Sequence, residues 1–126
     1  MAQFTISPLT ETDTHDMIRI YYETFPPGII LLLGGNLGEA GREAARLRFL
    51  HTMKTDPLDR WIKVIDSTTG ELVGCSNWRI HTLGLPKEAF DSPPVWLEGE
   101  ERAAAQRTQE HCDARRRSII GDEPHL

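Results

Sequence analysis

Long apolar runs are what this sequence most lacks. The longest covers residues 29–33, far short of the roughly 20 needed to cross a bilayer, so no membrane partner is expected. Cysteine is scarce: Cys75 and Cys112 are the only two. Two thiols do not make a disulfide framework, and residues 1–8 lack the basic stretch and apolar core of a secretory leader. The expectation is a soluble protein of the cytoplasm, with the nucleus as the other compartment open to it. Positive charge is also short, with 14 Lys and Arg against 19 Asp and Glu and a net charge of −5. That balance argues against a nucleic-acid partner, whose binding face is usually basic. The one basic cluster, Arg115, Arg116 and Arg117, reads as a solvated helix end rather than an import or anion patch. With 126 residues and 39% hydrophobic content, the chain is long enough for one modest core and a single domain over 1–126.

The clearest local pattern lies at 61–80. Trp61, Lys63 and Ile65 alternate with Ile62 and Val64, the period of a strand. Asp66, Ser67, Thr68, Thr69 and Gly70 form a turn cluster. Leu72, Val73, Trp78 and Ile80 then run back, which makes a hairpin. Phe4 and Ile6 alternate in a short first strand that Pro8 is expected to stop. Strands are placed at 2–7, 61–66 and 71–81.

Thr10, Thr12 and Asp13 offer N-cap oxygens for a first helix carrying Met17, Ile20, Tyr21 and Phe25. Pro26, Pro27 and Gly28 break it. The run 29–33 fits either a buried helical turn or a strand, and 36–41 either a loop or a helix start. A second helix is expected over 42–54, with Ala45, Phe49 and Met53 spaced four apart and Leu47 and Leu50 widening the buried face. Residues 82–97 hold Gly84, Pro86, Pro93 and Pro94 and read as an irregular insert, with Trp96 and Leu97 as anchors. A long polar helix follows over 98–118, acidic at its start and basic at its end as the helix dipole favours. Its few apolar residues predict that it lies on the surface or packs against something outside this chain. The resulting fold class is α+β, a three-stranded and mainly antiparallel sheet with two N-terminal helices and this long C-terminal helix.

Candidate chemistry is sparse. His111 and Cys112 are adjacent rather than two to four apart, and His15, His51 and His81 stand singly, so no metal site is expected. Cys75 and His81 share a strand face but lie about 20 Å apart along it, too far for a nucleophile pair. Cys75 is expected to be a buried thiol. Gly34, Gly35 and Gly38 lack the order of a phosphate loop. Trp61 and Trp78 are expected to pack in the core or across the hairpin. Tyr22, Glu23 and Phe25 sit before the Pro-Pro break, either lining a pocket or plugging the helix end.

Taken together, these segments resemble the N-terminal half of a GNAT-type N-acetyltransferase, particularly the fungal small-molecule-type members. The resemblance is carried by 4–8 as first strand, 17–25 with Pro26 and Pro27 as first helix and loop, and 42–56 as second helix. Trp61, Ile62, Lys63, Val64, Asp66, Gly70, Glu71, Val73, Gly74 and Trp78 carry the second and third strands. Pro124, His125 and Leu126 resemble the step into a fourth strand, so the domain is expected to be incomplete. The family's acetyl-CoA pyrophosphate loop, Q/R-x-x-G-x-G/A, has no match in these residues. The resemblance implies acyl transfer from acetyl-CoA to a small-molecule amine, with Glu23, Phe25, Asn77 and Trp78 on the acceptor side and no catalytic base assignable. It also implies no activity unless a partner chain supplies the donor site.

Without a fourth strand, the third-strand edge at 72–81 is expected to drive dimerisation or aggregation or to pair with a partner chain, unless the C-terminal tail folds back to cover it. The competing readings are a non-catalytic α+β module that binds through that edge, and a truncated gene product without activity.

Overall fold

The computed structural model describes residues 3–83, 95–121 and 123–124. Three antiparallel strands form one sheet in the order β1 (Phe4–Pro8), β2 (Asp59–Asp66), β3 (Leu72–Arg79). Helices α1 (Thr14–Thr24) and α2 (Glu39–Thr55) connect β1 to β2, and α3 (Gly99–Ile120) follows the sheet. The α+β class and the antiparallel sheet are as the sequence implies. The insert at 82–97 falls largely at 84–94, outside the described residues, as do His125 and Leu126.

Alternation along β2 decides the layering. Trp61 and Ile65 pack on the helices together with Cys75 and Leu72 of β3. Their core partners are Met17, Ile18 and Tyr22 of α1, Ala45 of α2, and Leu9 and Ile30 from the connections. Met17 is 1% exposed and Ala45 is fully buried. Phe49 joins the layers edge to face with Trp61, their ring centroids 5.7 Å apart. At Ile65 the β2–β3 register slips, because Leu72 and Gly74 pair with successive residues and Val73 is extra, a bulge.

Several boundaries move from those the sequence implies. Pro8 is the last residue of β1, opposite Ile62, rather than its stop. A proline fits there because the outer edge of β1 needs no N–H, while Leu9 N–H donates to Trp61 O at 3.0 Å. Asp13 and the residues before it form a 3₁₀ turn ahead of α1. Helix α2 begins at Glu39 because Gly38, at φ +87°, turns the chain into it. Leu47, expected in the buried face, is 51% exposed; the apolar stripe of α2 is narrower than assumed. The sheet strands end at Arg79 rather than 81, and α3 runs 99–120 rather than 98–118.

Two polar clusters fasten the layers. Asp13 accepts Lys63 Nζ at 2.7 Å with each carboxylate oxygen, and Thr10 N and Oγ1, both at 2.7 Å, with Oδ2. This ties the β1–α1 connection to the middle of β2. At the far end of the hairpin, the nearly buried Asp59 accepts Trp61 Nε1 at 2.8 Å and Asn77 Nδ2 at 2.7 Å. Arg79 pairs there with Asp56 and lies 3.9 Å from Asp59. Such satisfied pairs chiefly fix geometry, because desolvation offsets much of their attraction.

Replacing Met17 with Ala should lower unfolding free energy by about 2–5 kcal/mol through lost burial and a cavity. Leu47→Ala should cost well under about 1 kcal/mol at its exposed site. Urea unfolding of the two variants checks this ranking.

Burial works against ionisation of Asp13, yet its bonds to Lys63 and Thr10 outweigh that and hold its pKa below the ordinary carboxylate value. A depressed carboxylate stabilises the fold above its unfolded pKa, and that contribution disappears as pH falls through the folded value. Urea midpoints followed from neutral into acid should therefore drop less steeply in Asp13→Asn than in the native chain.

Candidate functional site

The segment between α1 and α2 is where the fold leaves regular structure. Pro26 takes an extended conformation and caps a single turn with Pro27 at its first position. The chain then widens into a π-helical turn over Ile30–Gly34, closed by Gly35 N–H donating to Ile30 O at 2.8 Å. So the run 29–33 is a helical turn and not a strand. A helix that stops leaves its last carbonyls without partners. Here side chains from elsewhere supply them. Trp96 Nε1 donates to Leu31 O at 2.6 Å, Gln109 Nε2 to Leu32 O at 3.4 Å, and Arg48 Nη2 to Gly34 O.

Arg48 also lies over the Trp96 ring, 4.4 Å from its centroid. Burial lowers the Arg48 pKa, opposed by Tyr22. The α2 arginine therefore joins the turn to the segment entering α3. Tyr22 adds a further tie through its hydroxyl, which donates to Asn36 O at 3.0 Å.

A groove of about 340 Å³ opens between this turn and α3. Gly28, Leu31 and Leu32 form one wall; Leu97, Glu101, Ala104, Ala105 and Thr108 form the other. Leu97 precedes α3, and on the helix Glu101, Ala104, Ala105 and Thr108 fall at i, i+3, i+4 and i+7, one continuous stripe. The walls are mainly apolar, with one carboxylate, Glu101, and one hydroxyl. Thr108 Oγ1 donates to Ala104 O at 3.0 Å, so its lone pairs face the groove without a proton to give.

The four acceptor-side residues expected from sequence do not share one surface. Glu23 and Phe25 end α1, just ahead of Gly28. Glu23 accepts Arg19 Nη1 at 3.2 Å and is largely solvated, and Phe25 stacks at 4.9 Å on Tyr21. Asn77 faces the helix side of the sheet and is committed to Asp59. Trp78, its neighbour, points to the opposite face, across from Arg60. Trp61 packs in the core, while Trp78 is 47% exposed. Cys75 is half-buried and burial pushes its thiol pKa up, which makes it a poor nucleophile. His81 is buried at the same end as the Asp59 cluster.

No family model, curated protein or solved structure matches the chain. Among the described residues, no group of three or more His, Cys, Asp or Glu is placed to hold a metal ion, and no helix is long and apolar enough to cross a membrane.

Sequence reasoning missed Glu101 and Thr108. The stripe beginning at Leu97 was the signal available, hidden because its small members, Ala104 and Ala105, look too weak to mark a packed face. A second cleft, between α1 and α2, is lined by His15, Arg19, Arg42 and Arg46 with Glu39 and Glu43. Its charges mostly neutralise one another along the helices, as Arg46 does with Glu43 at 2.6 Å.

Arg48→Met keeps the aliphatic stem but removes the donor to Gly34 and the cation over Trp96. Local opening should become easier by about 1–2 kcal/mol. Amide exchange around Leu97 and Ala105 should quicken tenfold or more while β2 and β3 keep their protection. Uniform acceleration across the chain would instead mark Arg48 as a global core residue.

Proposed function

We propose that this chain is a relative of the GNAT-type N-acetyltransferases and forms the side that receives the amine acceptor. The observation that carries the reading is the groove after Phe25: apolar walls with a single carboxylate. A small primary amine with an apolar body suits it. The ammonium group would donate to Glu101, and the hydrocarbon part would lie on Leu31, Leu32 and Leu97. The order of strand, two helices and hairpin, with both helices on one face of an antiparallel sheet, agrees with the fold the resemblance implies.

Acetyl-CoA does not fit this chain by itself. The one glycine-rich entry to a long helix is at Gly34, Gly35 and Gly38, before α2. There the Asn36 carbonyl oxygen crowds the first turn so closely that a Cβ on Gly41 would overlap it. A pyrophosphate would meet an acceptor oxygen where it needs N–H donors. Acyl transfer would therefore need donor-binding residues other than these, and the contribution of these residues is to bind and orient the acceptor. An intracellular compartment accords with that role and with a thiol at Cys75 that is held protonated.

Titration with hexylamine, followed by amide chemical shifts, should move signals of Gly28, Leu31, Leu32, Leu97 and Thr108. Glu101→Gln should weaken this binding up to about fivefold, the scale of an exposed ion pair. An unchanged affinity in Glu101→Gln would remove the carboxylate from the reading. Saturable binding of acetyl-CoA to these 126 residues would overturn the assignment of the donor site to residues outside them.

A further inference from the structure

The face of the sheet turned away from the helices is apolar and uncovered among the described residues. Pairing and alternation place Phe4, Ile6, Ile62, Val64 and Trp78 on it, with Val73 at the bulge and Ile80 just past β3. Phe4, Ile6, Val73, Trp78 and Ile80 are between 45% and 67% exposed. Scattered exposed apolar residues need no explanation, but a contiguous face across three strands does.

The charges on this face follow a pattern. Along β2 its members are Arg60, Ile62, Val64 and Asp66, basic at one end and acidic at the other. Arg60 has no carboxylate within 4.0 Å among the described residues and reaches only the Asp59 carbonyl, at 3.3 Å. The Asp66 carboxylate accepts the Thr68 N–H in the turn, at 2.8 Å, and has no Lys or Arg within 4.0 Å among the described residues. On the helix-facing side of β2 the acid is Asp59, and it has donors in Trp61 and Asn77.

We infer that this face packs against the same face of a second copy of the chain, with the two β2 strands antiparallel. A two-fold axis lying in the interface and crossing β2 at Lys63 sets Ile62 of each copy against Val64 of the other. The same operation sets Arg60 of each copy against Asp66 of the other, closing two ion pairs at the ends of an apolar strip. Trp78 then lies over the end of β3 in the second copy that carries Val73 and Gly74, where the glycine leaves a hollow. Two sheets stacked in this way sit about 10 Å apart. Three strands of this length bury roughly 1,000 Å² in total, the lower limit of a specific interface. The dimer is therefore weak and depends on concentration. The bulge at Val73 breaks the regular run of edge groups on β3, which favours the face over edge-to-edge pairing.

Sedimentation equilibrium of the full chain over a broad concentration series tests this. The native chain should dimerise. Arg60→Glu and Asp66→Lys should each weaken association at least tenfold, because each sets like charges opposite one another twice. Mixed in equal amounts, the two variants should associate again, since the heterodimer restores both opposite-charge pairs. Ile6→Lys, at a site 67% exposed and outside the core, should also abolish the dimer while leaving the urea midpoint unchanged; it serves if Asp66→Lys disturbs the turn. A monomer at every concentration overturns the proposal. So does a dimer indifferent to Arg60→Glu and Ile6→Lys, and slow amide exchange on the outer edge of β3 would then assign it to strand pairing.

Discussion

The Arg48 guanidinium donates to the Gly34 carbonyl while lying on the Trp96 ring, and Trp96 in turn donates to Leu31. These contacts meet a specific need. The π-helical turn after Pro27 ends abruptly at glycines, and its carbonyls would otherwise face a partly apolar surface unpaired, at a cost of about 1–3 kcal/mol each. Because Arg48 belongs to α2 and Trp96 to the approach to α3, satisfying those carbonyls also fixes where α3 starts. The groove exists because of this arrangement. The Arg48–Trp96 contact and the Gln109 bond to Leu32 O set the buried Leu97 and Ala105 opposite Leu31 and Leu32.

The remaining stability is one-sided. Helices α1 and α2 cover a single face of the sheet, and the core is one layer of side chains between them. Asp13 and Lys63 hold one end of that layer to the sheet, and Asp59, Trp61 and Asn77 hold the hairpin at the other. Both clusters lie on the helix-facing side, where partial burial makes fully bonded polar groups necessary. On the other side, Arg60 and Asp66 bond only to nearby backbone groups among the described residues. The difference between the two faces of β2 is therefore chemical as well as steric: internal bonds on one, unpaired charges and apolar surface on the other.

How much of this was legible depended on the length scale of the signal. The hairpin was readable because alternation at 61–65 and the Asp66–Gly70 cluster act within a few residues. The helix break at Pro26 and Pro27 was readable for the same reason. Leu47 misled because periodicity gives the centre of a helix face but not its width, which tertiary contacts set. Asn77 looked like a pocket residue; that Asp59, 18 residues earlier, would claim its amide depends on strand register. The groove was hidden for a related reason. Its walls come from 28–32 and 97–108, segments far apart in sequence that meet through the Arg48, Trp96 and Gln109 contacts, which no local pattern announces.

The groove and the uncovered sheet face lie on opposite sides of the core, and this separation has consequences for mechanism. The groove is bounded by the 27–34 turn and α3; the face is bounded by β1, β2 and β3. None of the groove residues lies on the sheet. Between them stand Tyr21, Phe49 and Trp61, whose rings follow one another at 5.8 and 5.7 Å. Close-packed rings of this kind have low compressibility and pass strain on. Groove and face therefore use separate elements, and any influence of one on the other has to pass through these packed rings.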